Sequence, residues 1–358
     1  MKLDLEPMVS TETSDIDKLF QDKIRSGKIN SRKKAIKICL CVFLMITAIT
    51  VFFTVLMPKI SLMIHMKPQH DTVAAYRDVI AAVKNDGTVY STVYQDETSN
   101  WTNVIDIAVS EDFILALTES GEVLLAGNNS EKSIDVSNWQ DIVDITAGSN
   151  FVVGIDSKGK AYASGENNAE QLEVDSWENI VAVEAGLDYT LGLKMDGTVV
   201  AQGNKSFDSG KYATCNVQDW SDVIYVSAGA GLSFGVKLDG TIYFTGGNPE
   251  YHGPWNAEHS EIDVSDFVNV KEISAGRHHF FALKNDGRVL AHGRNFWGEC
   301  ELDEWHNINK VISGEYYVLG LKNDGTLQIK QELNSSYSRE SDLIDKSIIN
   351  DWSNIRLS

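Results

Sequence analysis

The chain has 358 residues, with 31 Lys/Arg against 51 Asp/Glu, a net charge of −20 and four cysteines. The charge is uneven: residues 1–37 carry nine basic and six acidic side chains, and the remainder carries 22 and 45. So acidic a body excludes nucleic acid as a partner, because that affinity is built from Lys and Arg on phosphates. The absence of a CxxC pair or a Cys/His spacing leaves no expected metal or cofactor site.

In chain order, residues 1–37 are polar, mixed in charge and too few for a core, and read as a cytoplasmic tail. Residues 38–57, ICLCVFLMITAITVFFTVLM, carry no charge. Twenty helical residues span about 30 Å, the thickness of a bilayer's hydrocarbon core. The long preceding segment and the lack of a small-x-small cleavage site favour an uncleaved anchor over a signal peptide. Lys23, Arg25, Lys28, Arg32, Lys33, Lys34 and Lys37 precede the span, and only Lys59 and Lys67 follow closely. This asymmetry predicts a single-pass protein with its N-terminus in the cytoplasm and the rest outside. Residues 58–75, with Pro58 and Pro68, read as a linker.

Residues 76–358 carry a tandem repeat. The turns Asp86-Gly87, Ser120-Gly121, Lys158-Gly159, Asp196-Gly197, Asp239-Gly240, Asp286-Gly287 and Asp324-Gly325 recur with the aromatics Trp101, Trp139, Trp177, Trp220, Phe267, Trp305 and Trp352. For the first six aromatics the turn glycine follows 20 residues later. In the unit starting at Trp139, strands are predicted at 142–147, 151–156 and 160–164. The X-Gly turn between the last two is a strong hairpin signal. The first unit lacks its aromatic, and the chain is expected to enter it at about Tyr76 without a first strand. Trp352 is followed only by SNIRLS. Two partial units therefore make one composite blade, and pairing of the chain ends closes a ring without an open sheet edge. The reading is an all-β, seven-bladed β-propeller closed by its N- and C-terminal segments and preceded by one transmembrane helix.

The pattern W-x-x-[IV]-x-x-[IV]-x-[AS]-G, a strand ending L-K-x-D-G-T, and G-x-N-x-x-G-[EQ]-C is carried by WSDVIYVSAG, VKLDGTIYFTGGN and GRNFWGEC. It resembles the regulator of chromosome condensation repeat, over about residues 76–358. The resemblance implies a seven-bladed propeller. The family often places His three residues after the first glycine; here the position holds Phe151, Tyr189, Leu232, His279 and Tyr317. The family's founding member is a nuclear guanine-nucleotide exchange factor that binds chromatin, and related propellers are secreted protein-binding scaffolds. The anchor and the acidic domain fit the second role.

No nucleophile elbow, phosphate loop or HExxH is present, and the Asp-Gly turns lack the calcium-loop series. The chain therefore reads as a non-catalytic scaffold, with no cofactor and no metal. His278, His279 and His292, with His252 and His259 in the preceding unit, are the one histidine-rich region. Cys215 and Cys300 hold equivalent positions in different units, and no disulfide between them is expected. Three units carry extra length after the hairpin, at 204–216, 247–263 and 331–346, and such insertions tend to emerge on one face. Tyr251, His252 and Trp255 in the middle insertion are candidate binding residues. So are Arg277, His278, Glu315 and Tyr316 in the short loops after the first glycines, which gather near a propeller's central opening. The expected partner is a protein or a surface glycan, with membrane contact through residues 38–57. An intracellular exchange-factor-like regulator follows if the topology is inverted. A surface hydrolase follows if acids or histidines converge from several blades.

Overall fold

The computed structural model describes residues 17–18, 21–22, 31–127, 134–203, 214–246, 264–277, 279–293, 298, 300–331 and 346–357. The chain forms two compact units, residues 1–61 and 62–358. In the first, an α-helix begins at Ser31; a π-helical segment, Phe52–Leu56, interrupts it before α-helix resumes over Met57–His65. Its stretch Leu40–His65 is long and apolar enough to cross a membrane. The segment 58–75, expected as a linker, is thus helical as far as His65 and already strand from Val73.

The second unit is seven three-stranded antiparallel sheets, each ordered as in sequence. Blade 1 is Val73–Tyr76, Val79–Val83 and Val89–Ser91. The first strands of blades 2 to 7 are Val104–Val109, Ile142–Ala147, Ile180–Ala185, Val223–Ala228, Val270–Ala275 and Ile308–Ser313. The first unit therefore does possess a first strand, contrary to expectation. Sequence reading missed it because Lys67 stands where the other units have an aromatic.

Each blade is too thin to have its own interior, so the core lies between blades. Among the described residues there are seven apolar clusters, one per interface. One of them joins Val73, Ile80 and Ala82 of blade 1 to Leu319 and Leu321 of blade 7, together with Trp352 and Ile355. The aromatic of each unit covers its own middle strand closely: a Cβ on Gly154 would lie 2.7 Å from the Trp139 ring.

Polar cement accompanies this packing. The carbonyl of each turn glycine accepts the amide N–H that opens the next blade's first strand, as in Gly87–Val104 (3.0 Å) and Gly159–Ile180 (3.1 Å). Two residues after every aromatic the chain turns through the left-handed region. Asn103, Asp141, Asn179, Asp222, Asn269, Asn307 and Asn354 all have φ between 54° and 59°. Asn and Asp tolerate that region best after glycine.

The chain ends meet at one seam. Ile355 donates to the Gly325 carbonyl at 3.1 Å, as Val104 does to Gly87. Asn85 donates to Asn354, and Arg356 to Val83, each at 2.8 Å. The C-terminus adds one antiparallel bridge, Lys84–Ile355, to the first hairpin. The expected paired strand is not formed, because residues 73–76 already occupy the rest of that edge.

Two predictions follow from the blade joints. Gly159 has φ +78°, and a Cβ there would lie 2.8 Å from both the amide nitrogen and the carbonyl oxygen of Ile180. Gly159→Ala is expected to cost about 2 kcal/mol, seen as a fall of roughly 5 °C in the thermal midpoint of the detergent-solubilised protein. In the turns, Asp86, Asp196, Asp239 and Asp324 each accept the hydroxyl and amide of the threonine two residues on. Those hydrogen bonds hold these carboxyls below the usual range. Their contribution is complete above the unfolded carboxylate pKa of about 4 and is lost as pH falls through the lower folded values. Midpoints recorded from pH 5 to pH 2 should fall, and the fall should be shallower in a variant with all four threonines changed to valine.

Candidate functional site

The first strands surround a central channel with two chemically different ends. At their C-terminal ends lies a mouth of about 150 Å³, to which all seven blades contribute. Its lining is mostly small residues such as Ala147, Gly186, Gly229 and Ser313. Charge enters at a single repeat position, ten residues before each turn glycine. That position holds Arg277 in blade 6, Glu315 in blade 7, Arg77 in blade 1 and Glu111 in blade 2. In blades 3 to 5 it holds Ser149, Leu187 and Ala230.

The four charged residues form a continuous arc. Glu315 is buried and accepts Arg277 Nη1 at 2.7 Å through one oxygen and Arg77 Nε at 2.8 Å through the other. Arg77 also pairs with Glu111. Burial works against the Arg77 charge, but Glu315 and Glu111 outweigh it and raise its pKa. Tyr317 anchors the arc from below, its hydroxyl donating to the Arg77 carbonyl at 2.8 Å. Glu315 is the keystone, while Arg77, Arg277 and Glu111 each leave a third or more of the side chain exposed.

Of the sequence-derived candidates, Arg277 and Glu315 meet here, and Tyr316 is half-buried beside them. Tyr251, His252, Trp255 and His278 lie outside the described residues. His279 is buried, with Nε2 3.1 Å from the Gly314 carbonyl across the blade interface. Arg77 and Glu111 were missed. Counting ten residues back from Gly87 and Gly121 finds both.

Near the start of the first strands the channel is acidic. The position fifteen residues before each turn glycine holds Thr72, Asp106, Asp144, Ala182, Tyr225, Glu272 and Lys310. Three of these carboxylates reach the next blade's backbone: Asp106 to Ile145 N (3.4 Å), Asp144 to Val183 N (2.8 Å) and Glu272 to Val311 N (3.3 Å). Ala182 has no acceptor to offer Val226. Gln69 supplies it: its Oε1 accepts Val226 N–H and its Nε2 donates to the Val226 carbonyl, both at 2.9 Å. The segment continues across the channel. Gln69 N–H donates to Asp144 (3.1 Å), Asp71 N–H donates to Asp106 (2.6 Å), and the Asp71 carbonyl accepts Ile107 N–H (2.9 Å).

The charges here are unbalanced. Asp71, Asp106, Asp144, Glu184 and Glu272 share one ammonium among the described residues, Lys310, whose Nζ is 2.5 Å from Asp71. Burial, then the neighbouring Asp71, pushes the Asp106 carboxyl well above the usual carboxylate range. Burial, then Asp106, does the same to Asp144. Burial opposes the Lys310 charge, but Asp71 and Glu272 override it and raise its pKa. Lys310→Met is expected to destabilise the protein by about 3 kcal/mol, the scale for breaking a buried pair from one side. Lys310→Arg should recover most of the loss. Thermal midpoints of both variants at pH 7.5 test this, and a loss under about 1 kcal/mol for the methionine variant would mean that Lys310 is not the counter-ion of this cluster.

Residues 270–298 match the regulator of chromosome condensation (RCC1) repeat. No curated protein sequence matches the chain. Among solved structures, the chain is similar to Prp20p from Saccharomyces cerevisiae, described with its binding properties to Gsp1p and histones. The TM-score is 0.56 at 16% identity, over 81% of this chain and 86% of that one. It is also similar to the CRINKLY WD40 ectodomain of the Arabidopsis thaliana receptor kinase ACR4, at TM-score 0.54 and 14% identity, over 73% of this chain and 95% of that one. The ectodomain of the Physcomitrella patens receptor kinase CR4 gives 0.56 and 15%, over 73% of each chain. Seven three-stranded blades and these likenesses show a β-propeller fold, in which the match to the RCC1 repeat begins at the first strand of blade 6.

Proposed function

We propose that this protein is a membrane-anchored, extracytoplasmic scaffold that binds a protein partner over the channel mouth without catalysing a reaction. The observation that carries the reading is the Arg277–Glu315–Arg77–Glu111 arc. Four successive blades place charge at one repeat position, partly exposed on Arg277, Arg77 and Glu111 and buried on Glu315, beside an uncharged half formed by Ser149, Leu187 and Ala230. Such a surface offers orientation through its charges and desolvation through its apolar half, the combination that makes binding specific. The arc's two arginines and two glutamates cancel, so affinity comes from local complementarity. The acidic body, with 22 basic against 45 acidic residues after position 37, steers a basic partner toward it.

Two kinds of relative support the reading. Prp20p is described with its binding to Gsp1p and histones, which are proteins, and the plant propellers are receptor-kinase ectodomains. The basic flank before residue 38 argues for the outward orientation.

The first test is topology. An epitope following Ser358 should be labelled by antibody on intact cells; labelling only after permeabilisation overturns the extracytoplasmic placement. The second is the site. A photo-crosslinking amino acid at Leu187 should capture a discrete partner band in cells. Arg77→Ala and Glu111→Ala should each lower its yield about fivefold, since loss of an interfacial charge contact costs on the order of 1 kcal/mol. Yields unchanged in variants of normal thermal midpoint would remove the mouth as the binding face.

A further inference from the structure

We propose that His70, Asp106 and Asp144 form a binding site for a divalent transition metal of the zinc class, which pins the segment after the membrane helix inside the propeller channel. One ligand atom from each of the three lies within 4.8 Å of the others, with both aspartates buried and His70 half-buried. One imidazole nitrogen and two carboxylate oxygens make a mixed set that suits zinc and its neighbours, whereas calcium and magnesium favour all-oxygen shells.

Three features beyond the proximity point to a cation. The first is the orientation of His70. Its Nε2 is 2.8 Å from the Val143 carbonyl. A carbonyl only accepts, so Nε2 carries a proton and Nδ1 is the ring nitrogen left to bind a metal. Metal-bound histidines are held in this way, with the other ring nitrogen donating to a carbonyl or carboxylate. The second is Thr72. It is 2% exposed, and its hydroxyl has no hydrogen-bond partner. It stands at the same repeat position as Asp106 and Asp144, in the blade next to that of Asp106. The Asp71 carbonyl takes the Ile107 amide that the Thr72 position would otherwise serve. This leaves a buried oxygen that the fold does not use. The third is the charge count. Lys310 is paired with Asp71, which leaves the buried Asp106 and Asp144 without an ion pair among the described residues, and buried carboxylates are costly unless a proton or a cation neutralises them.

The backbone contacts leave room for coordination. Asp106 accepts Asp71 N–H and Ile107 N–H through Oδ1, and its Oδ2 holds only the 3.4 Å contact to Ile145 N. Asp144 accepts one amide on each oxygen, Gln69 N and Val183 N, leaving a lone pair on each. A bound ion would join blades 2 and 3 to residue 70, so that metal and the Gln69–Val226 pairing act together on one segment. The inference stands independently of what binds at the mouth.

The test uses the full-length protein in detergent, stripped with chelator and then equilibrated with Zn²⁺ and desalted. Wild type should retain one equivalent of zinc more than His70→Ala, by elemental analysis. The exposed control His306→Ala should match wild type. Zinc should raise the wild-type thermal midpoint by roughly 5 °C and leave that of His70→Ala unchanged. Co²⁺ in place of Zn²⁺ should give the visible absorption of a four-coordinate site in wild type only. Asp144 also supports the Val183 amide, so Asp144→Asn can unfold for reasons unrelated to metal. His70→Ala, whose midpoint in chelator reports its folding, therefore carries the decision. Equal zinc retention by wild type and a folded His70→Ala, or retention of Ca²⁺ in preference to Zn²⁺, would overturn the proposal.

Discussion

The carbonyl of one turn glycine, offered to the first amide of the next blade, is the joint on which this propeller depends. It is made seven times, from Gly87–Val104 round to Gly325–Ile355. The glycine is needed at each joint. The turn requires a positive φ at all seven, and at Gly87, Gly159 and Gly240 the neighbouring backbone also leaves no room for a Cβ. The left-handed Asn or Asp two residues after each aromatic shapes the other side of the joint. Because no blade has an interior of its own, stability belongs to the seven interfaces, and weakening one joint also loosens the apolar cluster beneath it.

The last joint explains the channel. Counted from the turn glycine, His70 and Ile355 compete for one place: His70 is 17 residues before Gly87, as Val104 is before Gly121, yet Ile355 makes the hydrogen bond to Gly325. The C-terminus wins because it brings Asn354, which takes the left-handed turn, and Trp352 with Ile355, which fill the interface between blades 7 and 1. Lys67, Gln69 and His70 at the same register offer neither the aromatic nor the buried aliphatic residue. Displaced from the seam, residues 69–71 cross the channel instead, where Gln69 repairs the gap left by Ala182. Seam and plug are therefore one event. A chain that lost residues 352–357 would lose the seam contacts and also the reason for its N-terminal segment to enter the ring.

The regular parts of this architecture were legible in the sequence because they obey the repeat. The X-Gly turns, the aromatics and the strand limits at 142–147 and 151–156 fall as read. The first strand of blade 1 was not legible, because the reading took the aromatic as the sign of a blade's start and that place holds Lys67. The same error hid Arg77, since its register is visible only when counted back from Gly87. Arg277 and Glu315 were reachable because a glycine precedes each at the expected offset. Asp106, Asp144 and Glu272 look like ordinary polar positions in half-exposed strands. Only closure of the ring turns one position in seven repeats into neighbours, and no local pattern encodes that convergence.

The two ends of the channel differ because they draw on positions under different constraint. Fifteen residues before the turn glycine, Asp106, Asp144 and Glu272 serve the next blade's amide and Gln69 substitutes where Ala182 cannot, so charge accumulates as a by-product of the hydrogen bonding. Ten residues before it, just past the strand, the fold asks for little. Arg, Glu, Ser, Leu and Ala all occur there. Freedom from structural demand lets that ring of positions vary without cost to the blades, which suits the mouth to the recognition proposed for it. Yet the arc is not loose. Glu315 is buried and satisfied on both oxygens, and Tyr317 fixes the Arg77 backbone beneath it. The charges that a partner would meet are thus already ordered by one another, and the entropy of arranging them is largely settled before binding.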